Sequence, residues 1–358
     1  MSDEARTFSL ARLLSADLGI DLGTESARVS SRKTGEVFSA PAVVARHRRS
    51  GEVWGVGRPA ADLIARMPEA IEEVRPLRDG AIADYDAAVI LLRALIQHAR
   101  NRLAPLRPRV VLSVPCELTQ VERRALVSAA RQAGAREVYL LAAPMAAALG
   151  AGVAASERGG KLVIDIGAGT TDVAVVTTSG VVHARTMRMG GTRLDEAVRG
   201  WLKRKLDVEV GLLQARALKE QLGSAHSRQD LRDLTIDARD RVTGALRVVR
   251  VRAEELREAL APAVSQLVDA VRIVIEDAPP ELAADIAQNG IVLAGGGARL
   301  DGLAELLMRE LRLPVAVAKD PQTAAVTGCG ACLDRFDLLR DLQLEAQAQI
   351  RQLDLAAA

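Results

Sequence analysis

Two short stretches of the sequence place an acidic residue, glycines and hydroxyl side chains in the same order. In one of them, an apolar run ends at Asp165, a glycine-rich turn follows at 167–170, and a second apolar run leaves it at 173–176. Glycines allow backbone N–H groups to approach an anion closely, threonine hydroxyls add donors, and the carboxylate can hold a cation through water. The pattern predicts a β-hairpin with a phosphate-binding turn, although an ordinary glycine-rich hairpin would have the same composition.

The second stretch lies upstream, where Ile20-Asp21-Leu22-Gly23 matches Ile164-Asp165-Ile166-Gly167 position for position. Two such hairpins suggest two related halves that face one ligand, and their turns and carboxylates would clamp a polyphosphate and its metal. A third candidate is the apolar run 291–294, which leads into three glycines at 295–297. Glycines at a strand-to-helix turn let a flat or anionic group lie on the backbone.

The composition indicates a folded protein with two domains and argues against several function classes. The 358 residues are 49% hydrophobic and carry a net charge of +2, which argues against a dedicated nucleic-acid binder. No run approaches the ~18–20 apolar residues of a membrane span, and Asp3 and Glu4 argue against a secretory signal. The three cysteines fit a reduced cytosol, and the isolated pair Cys329 and Cys332 favours helix packing over a redox or metal site.

Three apolar segments leave alternatives open. Residues 8–14 have the pattern of a short amphipathic helix, which would either anchor the chain at a membrane interface or pack on the first strand. The loop tip Leu103-Ala-Pro-Leu106 would either touch a membrane or a partner, or lie under a neighbouring helix. The glutamine-rich run 338–355 is either a solvated tail or a helix that binds a partner.

The first half of the chain predicts strands that alternate with helices, as in parallel α/β proteins. A buried strand is predicted at 109–114 and a helix at about 120–133. Thr119 and Glu122 form the sequence of a capping box at the start of this helix, and Gly134 ends it.

The second half also predicts strands that alternate with helices, with longer insertions between them. A helical run carries Lys219 on its polar face, and the alternating, charged residues 223–252 predict a small β insert. A long helix is predicted over about 254–277, with an interruption at Pro262 because proline removes a helical hydrogen bond.

Several longer motifs carry a family resemblance. They are Asp17-Leu-Gly-Ile-Asp-Leu-Gly-Thr24, Arg75-Pro-Leu-Arg-Asp-Gly-Ala-Ile-Ala-Asp84, Gln132-Ala-Gly-Ala-Arg136, Pro144-Met-Ala-Ala-Ala-Leu-Gly150, Pro279-Pro-Glu-Leu-Ala-Ala-Asp-Ile286 and Gly290-Ile-Val-Leu-Ala-Gly-Gly-Gly-Ala298. With these motifs the chain resembles the MreB family of bacterial actin homologues, within the actin–Hsp70–sugar-kinase superfamily. The resemblance covers nearly everything from residue 17 to about 335.

The resemblance implies an α/β protein with the actin-like, ribonuclease H-like fold of two-lobed ATPases, with a small subdomain on each lobe. The first lobe is expected to comprise residues 1–34, 75–152 and 318–358, with its small subdomain at 35–74. The second lobe is expected at 153–188 and 250–317, with its small subdomain at 189–249.

The resemblance also implies a site for ATP and Mg²⁺. Carried over position by position, Gly23, Thr24 and Glu25 form the first phosphate loop, and Ala168, Gly169 and Thr170 form the second. Asp21 and Asp165 face the Mg²⁺ through water. The adenosine site is lined by Arg216, Lys219, Gly295, Gly296, Gly297 and Ala298.

By the same resemblance, the chain is expected to form head-to-tail filaments with itself, and to co-assemble with other MreB-family paralogues. These filaments would lie in the cytoplasm on the inner membrane and organise cell shape and wall synthesis together with membrane proteins of cell-wall elongation. Residues 8–14 and 103–106 lie where the family places its membrane contacts. The preference for ATP over GTP and the filament architecture are left open.

Several positions depart from the family pattern. Ala142-Ala143-Pro144 stands where the family has Glu-Glu-Pro, and the second glutamate positions the attacking water, so hydrolysis is expected to be slow or lost. Glu25 places an acid near phosphate, which would weaken binding unless it turns outward or helps to hold the metal. Arg216 replaces a glutamate that contacts the ribose, and Thr192 replaces an aspartate. Whether the chain is an active ATPase is therefore left open.

Two other functions compete with a filament-forming ATP-binding protein. One is a non-polymerising ATP-binding adaptor or chaperone-like scaffold for an envelope complex. The other is a sugar-kinase-like enzyme, which the sequence favours least because it shows no specific candidate for a carboxylate base or a substrate-binding insert.

Overall fold

The chain forms two units that are built on the same strand pattern. In the computed structural model, residues 17–31, 37–99, 106–153, 159–178, 180–226, 231–334 and 339 are described. The first unit comprises residues 1–158, 176–181 and 322–358, and the second comprises residues 159–175 and 182–321. The predictions for the segment 8–14, for the loop tip at 103–105 and for nearly all of the run 338–355 lie outside the described residues.

The elements follow one another in an alternating α/β order. They are β1 (Leu18–Leu22), β2 (Ser26–Ser31), β3 (Val37–Pro41), β4 (Val44–His47), β5 (Val53–Val56), α1 (Arg58–Arg66), β6 (Ile71–Val74), β7 (Leu77–Arg78), β8 (Ala81–Ile82), α2 (Tyr85–Ala99), β9 (Arg109–Val114), α3 (Gln120–Ala133), β10 (Glu137–Ala142), α4 (Ala143–Gly150), β11 (Lys161–Ile166), β12 (Thr171–Thr177), β13 (Gly180–Met187), α5 (Gly191–Lys205), β14 (Val208–Glu209), α6 (Leu212–Leu222), β15 (Asp233–Asp240), β16 (Leu246–Arg252), α7 (Ala253–Glu276), α8 (Pro280–Asn289), β17 (Ile291–Ala294), α9 (Leu303–Leu311), β18 (Val315–Val317) and α10 (Ala324–Ala331). Short 3₁₀ turns lie at Gly296–Arg299 and Cys332–Asp334.

The main sheets of the two units have equivalent strand orders. The first unit has the order β10-β9-β1-β2-β3. Read from the corresponding edge, the second has the order β18-β17-β11-β12-β13. Strand β1 runs parallel to β9, as β11 does to β17, and each central strand carries one acidic–glycine motif. The two related halves predicted from the repeated motif are thus confirmed in the order of the strands.

Each unit also has a small sheet. In the first unit, β5-β4-β6 packs with α1. In the second, β14-β15-β16 forms the small β insert that the charged, alternating residues predict. The described part of the chain contains no helix with the length and hydropathy needed to cross a membrane.

Local signals set both ends of α3, but the predicted break in α7 is wrong. Helix α3 has the predicted capping box, in which Thr119 and Glu122 cap each other, and Gly134 ends the helix with a φ of 119°. Helix α7 is continuous through Pro262. The proline is exposed, and the apolar residues on the opposite side of α7 are buried on both sides of it. Burial of that stripe offsets the loss of one helical hydrogen bond.

The core of the first unit depends on small residues in α10. A methyl group at Gly150 or Gly328 would overlap the backbone of the facing helix, so only glycine allows α4 and α10 to lie this close. Cys329, the next residue of α10, is fully buried against Gly19 of β1, and burial raises the pKa of its thiol well above the ordinary value. Cys332 is buried as well. The structure therefore agrees with the packing role that the sequence favours for this pair.

A buried ion pair lies at the start of the central strand of the first unit. Both the backbone N–H and the guanidinium of Arg109 donate to the carboxylate of Asp17, the shortest contact being 2.6 Å from Nη2 to Oδ2. The Asp17 side chain is fully buried, and that of Arg109 is 6% exposed. This pair joins the beginning of β9 to the residue that precedes β1.

We expect Asp17→Asn to lower the free energy of unfolding by about 3–5 kcal/mol, because it leaves the Arg109 guanidinium buried without its counter-charge. Urea unfolding of the full chain measures this change. Asp269→Asn is the matched control, since it breaks an ion pair with Arg272 that is largely exposed, and it should change the stability by less than about 0.5 kcal/mol. Equal effects of the two substitutions would contradict the role assigned to burial.

Candidate functional site

The turn after β1 is closed by a backbone hydrogen bond. The Gly23 N–H donates to the Ser26 carbonyl over 3.1 Å. A methyl group at Gly23 would lie 2.9 Å from the same oxygen, which is closer than side chains tolerate. Thr24 and Glu25 lie between these two residues and are partly exposed. Three predicted phosphate-loop residues thus lie together in one tight turn.

The acid in this turn is neutralised by a residue far away in the sequence. Arg75 Nη1 lies 2.8 Å from Glu25 Oε1 and donates to the Thr24 carbonyl over 3.4 Å. Arg75 also pairs with Glu73. The sequence left open whether Glu25 would repel a phosphate. In the structure its charge is paired with Arg75, which reduces that repulsion.

Asp21 lies just before the turn, in the middle of the sheet. Its carboxylate lies 3.5 Å from Nη1 of Arg28 and also accepts a hydrogen bond from Ser113. Burial raises the pKa of Asp21 above its ordinary value, and the two donors oppose this shift only in part. The charged form of Asp21 is therefore incompletely stabilised by the protein alone.

The turn after β11 has the same bond at the equivalent positions. The Gly167 N–H donates to the Thr170 carbonyl over 2.8 Å. The next residue, Thr171, is buried and donates its hydroxyl to the carbonyl of Met189 over 2.7 Å. Ala168 and Gly169 complete the turn, and Gly169 is buried. The two predicted phosphate turns therefore share one backbone geometry.

The first residues of α5 lie directly on this second turn. Gly191 N–H donates to the Gly167 carbonyl and Thr192 N–H to the Ala168 carbonyl, both over 2.9 Å. A methyl group at Gly190 would lie 2.5 Å from the Gly167 oxygen, so glycine is needed there. The buried hydroxyl oxygen of Thr192 has no hydrogen-bond partner within the described residues. A polar ligand at the turn would give this hydroxyl a partner.

The third glycine run lies against the end of β11 in the same unit. Gly295 has a φ of +77°, and a methyl group there would lie 2.6 Å from Asp165 Oδ1 and overlap the Ile166 backbone. A methyl group at Gly297 would overlap the Ile166 side chain. Gly296 between them is exposed, and Ala298 is buried. Three predicted parts of the second unit thus lie together at the carboxyl ends of its neighbouring strands β11 and β17. They are Asp165, the turn and the glycine run.

A charge cluster that the sequence did not predict lies on α5 and α6. The carboxylate of Asp195 is fully buried, 2.8 Å from Nε of Arg216 and 2.6 Å from Nζ of Lys219. Lys219 also donates to the Gly191 carbonyl over 3.2 Å. The Lys219 side chain is only 13% exposed, and its contacts in this cluster are with polar groups. An acid on the apolar face of α5, beside Leu194 and Val198, was the available signal.

Ala143 is the first residue of α4 and is buried. Its methyl group can neither accept a proton nor orient water. Pro144 follows at a position where the missing N–H costs nothing, as predicted for the start of this helix.

Asp21 and Asp165 are each the kind of side chain that Mg²⁺ accepts when water and ligand oxygens supply most of its coordination. Within the described residues, no group of three or more histidine, cysteine, aspartate or glutamate side chains could hold a metal. Mg²⁺ usually keeps several waters and takes one or two carboxylates together with substrate phosphates. Asp21 and Asp165 each offer one such carboxylate at a strand end.

Comparison with known proteins connects this geometry to one family. The family model for the MreB/Mbl protein matches residues 15–341. The cell shape-determining protein MreB of Escherichia coli K12 is 41% identical over 332 residues, which cover 91% of this chain and 95% of that protein. The chain belongs to the MreB/Mbl family. Mbl of Bacillus subtilis, another member of the MreB/Mbl family, is 36% identical over 327 residues, with 91% of this chain and 98% of that protein covered.

Solved structures establish the actin-like fold of this MreB/Mbl-family chain. MreB5 of Spiroplasma citri bound to AMPPNP superposes with a TM-score of 0.85 at 30% identity, covering 90% of this chain and 97% of that one. A MamK double helical filament matches with a TM-score of 0.76 at 23% identity, covering 90% of this chain and 99% of that one, and shares the fold. The predicted family and fold class are thus confirmed.

The raised pKa of Asp21 predicts the sign of a stability change. A carboxyl whose pKa is raised by folding favours the folded state when it is protonated, so its contribution is largest at low pH and is lost as pH rises through the raised pKa. Asp21→Asn mimics the protonated form. We expect it to raise the melting temperature of the ligand-free protein at neutral pH.

Thermal unfolding of the ligand-free chain at pH 7 and at pH 5 measures this effect, with Asp269→Asn as the exposed control. The difference between Asp21→Asn and the native chain should shrink at the lower pH, where Asp21 is closer to protonation. A lower melting temperature for Asp21→Asn would show that its ion pair with Arg28 outweighs the cost of burial.

Proposed function

We propose that the chain binds ATP with Mg²⁺ and that each unit contributes one phosphate-binding turn to the nucleotide. The single observation that carries this proposal is the repeated turn. The same N–H to carbonyl bond closes it at Gly23 and at Gly167, and in both an aspartate stands two residues earlier. The S. citri MreB5 structures, which are bound to AMPPNP and to ADP, support the binding of a nucleotide.

Each group of residues would bind a different part of the nucleotide and its metal. Backbone N–H groups of both turns and the hydroxyls of Thr24 and Thr170 would bind phosphate oxygens. Asp21 and Asp165 would hold Mg²⁺ through water, and the ion would lower the cost of the buried charge on Asp21. The remaining residues would surround the nucleoside, as the family resemblance implies: Arg216, Lys219, Gly295, Gly296, Gly297 and Ala298.

We further propose that the ATP-bound chain assembles into filaments with itself and with other MreB-family paralogues. The filaments would lie on the inner membrane and organise cell shape and wall synthesis with membrane proteins of cell-wall elongation. The name of the E. coli relative, a cell shape-determining protein, and the MamK filament support this proposal.

Light scattering and pelleting with and without Mg-ATP test the filament proposal. ATP-dependent polymer is expected. The chain could instead bind ATP tightly and form no polymer, even at protein concentrations well above those used to measure binding. That result would favour the adaptor or scaffold function.

Hydrolysis is expected to be slow or absent, because Ala143 provides no carboxylate to orient the attacking water. Removing such a group costs about two to four decades in rate. We therefore expect Ala143→Glu to raise the steady rate of phosphate release from Mg-ATP by about 10²–10⁴-fold, measured under conditions in which native chain and variant are both saturated.

Ala142→Glu is the matched control, because it adds the same acid one residue earlier and should leave phosphate release at the native level. Melting curves verify that a glutamate at the buried position 143 does not unfold the protein. Phosphate release by the native chain at the rate of the Ala143→Glu variant would contradict the assignment.

A further inference from the structure

Asp195 is a buried carboxylate that holds two cations in fixed positions. Its two oxygens face different partners, with Arg216 Nε on Oδ2 at 2.8 Å and Lys219 Nζ on Oδ1 at 2.6 Å. The Asp195 side chain is fully buried, whereas Arg216 and Lys219 retain 23% and 13% exposure. A buried carboxylate is tolerated only with such partners, so the three groups form one unit.

A short chain of hydrogen bonds connects this unit to the phosphate-type turn. Lys219 Nζ donates to the Gly191 carbonyl over 3.2 Å, and the N–H of Gly191 donates to the Gly167 carbonyl over 2.9 Å. A methyl group at Gly191 would lie 3.6 Å from Nζ and 3.7 Å from Cα of Ala168. Gly191 therefore lies between the ammonium group of Lys219 and the turn, within van der Waals reach of both.

The charges of the three groups leave an excess that suits an anionic ligand. Two cations and one carboxylate sum to one positive charge, close to the turn at 167–170. Lysine is a point charge on a flexible stem, and a carboxylate that holds it in place removes the cost of ordering it when a ligand binds. Preorganised charge of this kind contributes more to binding than mobile charge.

We infer that Asp195 is a positioning residue of the nucleotide site and that it acts through Lys219. The inference rests on the proposed function, because it takes the turn at 167–170 to bind nucleotide phosphate. It adds that the carboxylate, although negative, strengthens the binding of a negative ligand by fixing the ammonium group beside the turn.

Three roles for Asp195 predict different outcomes of Asp195→Asn. If the residue contributed only its charge, removing one negative charge would tighten the binding of Mg-ATP. If it only stabilised the fold, the melting temperature would fall and the affinity of the folded protein would not change. If it positions Lys219, the affinity falls, and it falls only while Lys219 is present.

The experiment is a double-mutant cycle on the full chain, with the Kd of Mg-ATP measured by titration calorimetry. The variants are Asp195→Asn, Lys219→Met and the double substitution. We expect each single substitution to weaken binding by tenfold or more, and the double substitution to be no weaker than Lys219→Met alone. Arg216→Met is the matched control, because it removes the other cation and leaves the contact between Asp195 and Lys219 in place. We expect it to weaken binding less than Lys219→Met does.

Additive effects of Asp195→Asn and Lys219→Met, or unchanged or tighter binding by Asp195→Asn, would overturn the inference while leaving the ATP site in place. Failure of the native chain to bind Mg-ATP would instead overturn the proposed function, and the inference with it. If Asp195→Asn does not fold, Lys219→Met decides, since native affinity in that variant contradicts a role for the ammonium group.

Discussion

Close contact of backbone with backbone at the end of a central strand is the constraint on which the second unit's candidate site depends. Gly190 and Gly295 lie so close to the residues that end β11 that a side chain would collide with them. Through these contacts α5 and the glycine run are seated directly on the turn at 167–170. No flexible side chain separates these parts, so their mutual geometry is fixed by the backbone.

Charged side chains at the candidate site form ion pairs with partners from distant parts of each unit. Arg75 pairs with Glu25 in the first unit, and Asp195 holds two cations in the second. Asp21 is the exception, because burial raises its pKa in spite of Arg28. An acid whose burial is offset only in part by its partners is characteristic of a functional position. A divalent cation nearby would reverse that cost.

The sequence predicts best those features that depend on interactions between residues close together in the chain. The repeated acidic–glycine motif identifies the two central strands, and the capping box sets the start of α3, because both depend on neighbours in the chain. The contacts of Glu25 with Arg75 and of Asp195 with Lys219 join residues 50 and 24 positions apart, which no local pattern specifies. The predicted break at Pro262 failed for a related reason, since the buried stripe of α7 outweighs the local preference of proline.

The departures from the family pattern concern turnover more than binding. The glycines that the close contacts require are present, and Glu25 is paired with Arg75. By contrast, the methyl side chain of Ala143 has no carboxylate to orient the attacking water. Under the proposed function, a chain that binds ATP without cleaving it stays in one nucleotide state. A ligand shifts a conformational equilibrium only by its difference in affinity for the two states. Disassembly of such a filament would then require nucleotide dissociation or a neighbouring subunit that hydrolyses, and co-assembly with an active paralogue would provide the latter.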